Sequence, residues 1–276
     1  MLRDSLERVR RRIDNACRRC GRPASAVTLI GVTKGVPVDT IRDALALGLR
    51  EIGENRVQEA RAKHLALGSR LQAVGSSLGP RASSLEPVRW HLIGHLQRNK
   101  AKEAVTLFDA LHSVDSVALA EGLERQLGKR AQGSGLRAQG SCPQPPGPSP
   151  EPTLEVFIQV SVSGEATKFG CAPEESEQLA RAILQCRHLR LAGLMTIAPF
   201  ASHPEFSRPI FRQLRQLRDS LTSTFRLSPS TLHLSMGMSQ DFEVAIEEGA
   251  DLVRIGTAIF GARPAQTRDQ RPETRD

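Results

Sequence analysis

The 276-residue sequence has no tyrosine, a single tryptophan and only 4% aromatic residues. Proteins that grip single-stranded nucleic acid stack bases on aromatic side chains. The formal net charge of +8, from 38 Lys and Arg against 30 Asp and Glu, is therefore not read as a nucleic-acid footprint. Much of the arginine lies in the first helix and the C-terminal tail, where solvated helix faces account for it. Long apolar runs are also missing, none approaching the roughly 18 residues that a membrane-spanning helix needs. A hydrophobic content of 39% with 25% charged residues is that of an ordinary soluble protein. The opening MLRDSLERVRRRIDNACRRCGR lacks the apolar stretch of a secretory signal. It also carries Asp4, Glu7 and Asp14, unlike an acid-poor transit peptide, so the expected location is cytoplasmic. Cysteine is sparse: Cys17 and Cys20 are the one close pair, and no second Cys or His pair lies nearby to complete a zinc site. Cys17 falls instead on a helical stripe with Leu2, Leu6, Val9 and Ile13. Cys142, Cys171 and Cys186 are scattered and outline no disulfide framework.

What the chain does have is an alternation of short apolar strands with longer amphipathic helices. That pattern implies parallel strands joined by crossover helices. After a helix near residues 2–20, strands are expected near 27–33, 50–53, 88–94, 109–114, 154–162, 189–197, 231–236 and 251–256. Eight such strands predict a single-domain α/β fold, a (β/α)8 TIM barrel over residues 1–264 with an extra N-terminal helix. A doubly wound open sheet is the competing architecture, but the GxGxxG turn that often marks it is absent from VTKGVP. Gly/Ser/Pro-rich insertions at about 68–87 and 129–152 precede the third and fifth strands, which places them on the face opposite a barrel's active site. Residues 265–276 read as a disordered tail.

Lys34 ends the apolar strand VTLIGVTK. Polar residues at the C-terminal end of a barrel strand are more often functional than structural, and a partly buried amine with a lowered pKa can attack a carbonyl. Spacing alone leaves Lys34 balanced between that role and a solvated lysine. Ser235, Gly237 and Ser239 lie in a turn between the seventh strand and a helix, with Ser239 and Asp241 suited to cap that helix. By itself this segment is an ordinary strand-to-helix turn. Arg254 ends the eighth strand, and Gly256 and Thr257 open the turn beyond it; the loops after strands seven and eight are a common phosphate site in such barrels. An amine beside a phosphate cradle, with a group facing the ring nitrogen, is the constellation a pyridoxal 5′-phosphate (PLP) site needs.

Weaker candidates surround these. His91 and His95 stand four apart at a strand end, a spacing that does not bring both to one metal, so satisfied polar roles are expected. Glu51 and Glu54 are a candidate acid–base pair, for which cap or surface roles are commoner. Met195, Met236 and Met238 are expected to line or pack around the barrel mouth.

The segments GENRVQE, WHLIGHLQRNK, LHSVDS, VSVSGEATKFG, GLMTI, LSMGMSQDFEVAI and VRIGTAIFG, in this order, resemble the pyridoxal phosphate homeostasis protein family, single-barrel relatives of the N-terminal domain of alanine racemase. The resemblance spans about residues 27–261. It implies that Lys34 is the Schiff-base lysine, that Arg254 faces the pyridine nitrogen, that Ser235, Gly256 and Thr257 hold the phosphate, and that Asn55 lies beside the cofactor. Lys168 is a second amine near the mouth, with transient acceptance of PLP as the sharper reading and a surface lysine as the plainer one. The chain departs from the family where GVP follows the lysine and in its two insertions. The function implied is buffering or delivery of PLP, possible recipients being PLP-dependent apo-enzymes, without substrate turnover. A PLP-dependent racemase is the alternative, yet the two-base racemases use a tyrosine from a second domain, and this chain has no tyrosine. A Schiff-base aldolase on a similar barrel would use the lysine and the phosphate site without PLP.

Overall fold

The computed structural model describes residues 1–75, 88–135, 153–162, 169–228 and 230–262. Eight parallel strands close into a barrel in chain order: β1 (Thr28–Val32), β2 (Glu51–Glu54), β3 (Arg89–Leu92), β4 (Ala110–Val114), β5 (Leu154–Gln159), β6 (Leu189–Met195), β7 (His233–Ser235) and β8 (Leu252–Ile255). Closure is made by β8 lying against β1, with Ile30 opposite Arg254. Every expected strand is present, so the barrel stands and the open sheet is excluded.

Helices α1 (Leu2–Arg19), α2 (Val38–Ala46), α3 (Val57–Gly75), α4 (Ala101–Leu107), α5 (Val117–Gly135), α6 (Ser176–Leu184), α7 (Arg208–Thr224), α8 (Phe242–Glu247) and α9 (Thr257–Phe260) complete the fold. The stripe Leu6, Val9, Ile13, Ala16 and Cys17 is buried as its spacing requires, and α1 packs on α8 and α9. Arg12 to Glu243, Arg19 to Glu247 and Arg22 to Asp251 pin α1 and the turn after it to the last βα unit.

The insertion boundaries differ from expectation. Helix α3 continues to Gly75 and α5 to Gly135, so residues 68–75 and 129–135 are helical. Once a helix is nucleated, each further residue adds one backbone hydrogen bond, so propagation outruns a composition of Gly and Ser. The rest of both insertions, with Cys142, lies outside the described residues, as does the 265–276 tail. Among the described residues, no helix is long and apolar enough to cross a membrane.

The main apolar core lies between barrel and helices. Inside the barrel a smaller apolar group, Ile30, Ala110, Phe157, Ala192, Met195 and Leu252, fills one tier. Two residues further along β4 and β8, on the same face as Ala110 and Leu252, stand His112 and Arg254, and this polar layer leads to the site.

Candidate functional site

Lys34 stands two residues beyond β1, in a turn closed by a hydrogen bond from the Val36 N–H to the Thr33 carbonyl (2.9 Å). Gly35 takes φ of +71° at the third position, the left-handed value a type II turn requires and glycine supplies without strain. The GVP that follows the lysine is thus a turn signal. Lys34 itself is half-buried. The peptide groups beside it are held from below: Thr33 donates its N–H to the Gly53 carbonyl (3.0 Å), and the Gly35 N–H donates to Glu59 Oε1 (2.6 Å).

Across the β1–β8 seam, Gly256 packs on Val32, where a Cβ would be in ordinary contact, 3.4 Å from both the Val32 carbonyl and its Cβ. Gly256 therefore brings the start of α9 beside the strand that delivers Lys34. The N–H groups of Gly256 and Ala258 both point at Ser239 Oγ, 3.3 Å away, and Thr257 is exposed between them. Gly237, at φ +91°, turns the chain from Ser235 to Ser239; a Cβ there would strike Ala245 and Phe242. Asp241 does not cap α8 with its side chain. Its carboxylate folds back onto the Met238 N–H (2.7 Å) and accepts from Ser207 (3.0 Å), holding this turn, while Ser239 faces α9. The expected capping pair is thus corrected: both side chains shape the mouth.

Arg254 is buried in the barrel, its Nη1 donating to Ser235 Oγ (2.6 Å) and its Nη2 to the Thr196 carbonyl (2.8 Å). Burial pushes its pKa down to about 10, still protonated at neutral pH. Since an arginine only donates, Ser235 must turn its own proton elsewhere, and His112 Nδ1 stands 2.8 Å away. His112 then carries its proton on Nε2 and donates to His91 Nδ1 (2.9 Å), and His91 Nε2 donates to Glu51 Oε2 (2.5 Å). The chain Arg254, Ser235, His112, His91, Glu51 crosses the barrel with one donor-only and one acceptor-only end, so every proton in it has a set direction. His112 is packed flat on Phe157, and burial first, then His91 and the nearby guanidinium groups, pushes its pKa far below the usual histidine range.

A model of the alanine racemase N-terminal domain matches residues 5–264. The pyridoxal phosphate homeostasis protein of Aquifex aeolicus is 40% identical over 260 residues, 94% of this chain and 97% of that protein. Its counterpart in Pseudomonas aeruginosa is 38% identical, over 94% of this chain and 95% of that protein. The chain belongs to the pyridoxal phosphate homeostasis protein family. The solved structure of PipY from Synechococcus elongatus with PLP bound superposes with a TM-score of 0.71 at 32% identity, covering 95% of this chain and all of that one.

Set against that family, the residues singled out in the sequence fall into two groups. Lys34 follows β1, Gly256 and Thr257 follow the neighbouring β8, and Arg254 lies buried on β8 before them. Asn55, half-buried after β2, lines a cavity of about 570 Å3 with Arg56, Gln58, His95, Gln97 and Lys100. Gly94 makes that approach possible, because a Cβ there would lie 2.3 Å from the Asn55 carbonyl. Ser235 is fully buried, with its hydroxyl engaged by Arg254 and His112. The hydroxyl facing α9 is that of Ser239, and sequence alone did not separate two serines four apart in one motif. Lys168 lies outside the described residues.

The remaining candidates disperse. His91 is interior, while His95 stacks on Phe169 at the rim, with Nδ1 3.5 Å from Asp115. Glu51 reaches His91, whereas Glu54 binds Thr33 and Lys63, so the two do not form an acid–base pair. Met195 and Met236 are buried, and Met238 is the one at the surface. Among the described residues no His, Cys, Asp or Glu cluster is arranged to hold a metal. Lys63 had no distinguishing signal in the sequence, and His112 and Thr196, within LHSVDS and GLMTI, were not singled out there.

Proposed function

We propose that this chain holds pyridoxal 5′-phosphate as an imine on Lys34 and acts in PLP homeostasis, buffering or delivering the cofactor, without turning over a substrate. The observation that carries the reading is the packing of Gly256 on Val32, two residues before Lys34, in a chain whose fold is shared with PipY solved with PLP bound. The donors present suit the group: a hydroxyl and backbone N–H groups for a dianion, a buried guanidinium for a ring nitrogen, and an amine for an aldehyde.

When bound, PLP supplies an aldehyde for reversible capture and a ring that can serve as an electron sink. Lys34 would supply the amine that holds the aldehyde as an imine, with loss of water. Ser239, Gly256 and Thr257 would hold the phosphate. Ser235 instead orients Arg254, accepting from its guanidinium while its own hydroxyl donates a hydrogen bond to His112. Arg254 keeps its protons, so it can donate a hydrogen bond to the pyridine nitrogen without protonating it, which leaves the ring a weak sink. That, with the lack of any tyrosine, favours a carrier over a racemase.

The test is a visible absorption spectrum with added PLP, followed by borohydride reduction and peptide mapping. Wild type should give an imine band and a reduced adduct on Lys34, and Lys34→Ala should lose both. A wild-type protein with no band would sink the proposal and favour a PLP-independent phosphate ligand.

A further inference from the structure

Lys63 lies on α3, outside the mouth, yet its side chain is 8% exposed. Its Nζ stands 2.5 Å from the Thr33 carbonyl, 2.7 Å from Glu54 Oε1 and 2.7 Å from Glu59 Oε1. An ammonium has three protons to donate, and all three are accounted for. Each acceptor leads to the Lys34 turn. The Thr33 carbonyl belongs to the peptide bond that joins Thr33 to Lys34. Glu54 Oε1 also receives the Thr33 hydroxyl (2.5 Å), and Glu59 Oε1 also receives the Gly35 N–H (2.6 Å). Residues 33 and 35 are thus tied to one knot of a cation and two carboxylates, and residue 34 is suspended between them.

The knot is costly to build. Glu54 is fully buried with Oε2 lacking a hydrogen-bond partner among the described residues, and burial pushes its carboxyl above the usual range despite Lys63 and Thr33. Apolar side chains of similar volume often stabilise a fold as well as a buried ion pair does. Packing therefore does not explain a knot whose hydrogen bonds all converge on one turn.

We infer that Lys63, with Glu54 and Glu59, is a positioning device that fixes the backbone of residues 33–35 and so aims the Lys34 amine into the barrel mouth. The inference rests on the reading of Lys34 as the PLP anchor. A turn held on both sides presents its side chain with less orientational freedom to lose when the covalent bond forms, as for any preorganised reacting group.

The experiment compares full-length wild type, Lys63→Met, Glu59→Ala and Glu59→Gln. It measures thermal unfolding without PLP, the rate of imine-band formation on mixing with PLP, the PLP dissociation constant and the pH midpoint of the band. Wild type with a Lys34 imine secures the underlying reading, and its absence would defeat that reading before the variants are compared. Folded Lys63→Met should form the imine at least tenfold more slowly and bind PLP at least tenfold more weakly, with a shifted pH midpoint. Should Lys63→Met not fold, Glu59→Ala carries the test, since it removes the Gly35 tie and leaves Lys63 on Glu54. It should show the same defects to a smaller degree, and Glu59→Gln, which keeps an acceptor oxygen, should recover most of the loss. Wild-type imine rate, affinity and pH midpoint in folded Lys63→Met or in Glu59→Ala would overturn the inference, even with a lowered melting temperature.

Discussion

Two buried polar assemblies stand a few residues from one another and are built on opposite plans. Inside the barrel, Arg254, Ser235, His112, His91 and Glu51 form a line in which a cation and an anion are kept apart by neutral groups. Behind β1 and β2, Lys63, Glu54 and Glu59 form a knot in which the charges touch. The line joins strands from both ends of the chain, whereas the knot is confined to residues 33–63. A line relays orientation over distance, so that Glu51 on β2 bears on the tautomer of a histidine beside Arg254 on β8. A knot immobilises one place. A cofactor anchored at one strand end and oriented from inside the barrel needs both.

The strongest way to break this comparison is to cut the line at its donor end. Arg254→Leu leaves the buried Thr196 carbonyl without its side-chain donor and Ser235 with one bond fewer, and should cost about 1–3 kcal/mol of stability in urea unfolding. A loss no larger than that of an exposed substitution would mean the line is dispensable.

Acid should separate the two assemblies. His112 takes up a proton far more readily unfolded than folded, so the unfolded state binds more protons below the ordinary histidine pKa. Stability should therefore fall as pH drops below about 6.5, by up to about 1.4 kcal/mol per pH unit from this site. Glu54 in the knot behaves oppositely: its raised pKa means that the folded state binds the extra proton just above the ordinary carboxylate range, so acidification there relieves it. His112→Gln should flatten the limb beginning near 6.5 in unfolding free energies measured across pH. An unchanged limb would assign it elsewhere.

The smallest effect is expected where similar partners meet in water. Arg12 reaches Glu243 through two hydrogen bonds on the partly exposed seam between α1 and α8. Arg12→Ala should cost about 0–1 kcal/mol by the same unfolding measurement. A larger loss would show that this pair orders the docking of α1.

The fold was legible because strand burial and helix periodicity are local. VTLIGVTK reads as a strand ending in a lysine, and Arg254 between Val253 and Ile255 reads as a position that is not fully exposed, whatever the rest of the chain does. The insertion boundaries were less legible, because Gly and Ser in 68–75 and 129–135 signal loops while an already formed helix extends through them. Ser235 and Ser239 share one motif, and their separation into an interior and a mouth position depends on the positive φ of Gly237. Lys63 looks like any helix lysine, and its burial follows only from how α3 lies against β1 and β2.

By itself the sequence determined the order of elements and the placement of Lys34 and Gly256 near strand ends, since these follow from periodicities of two and 3.6 residues. Only the tertiary structure decided which inward residues touch. His112 meets Ser235 across 123 positions, and Thr33 meets Lys63 across 30. Such contacts depend on strand register and on the closure of β8 against β1, which every strand sets together and no single segment encodes.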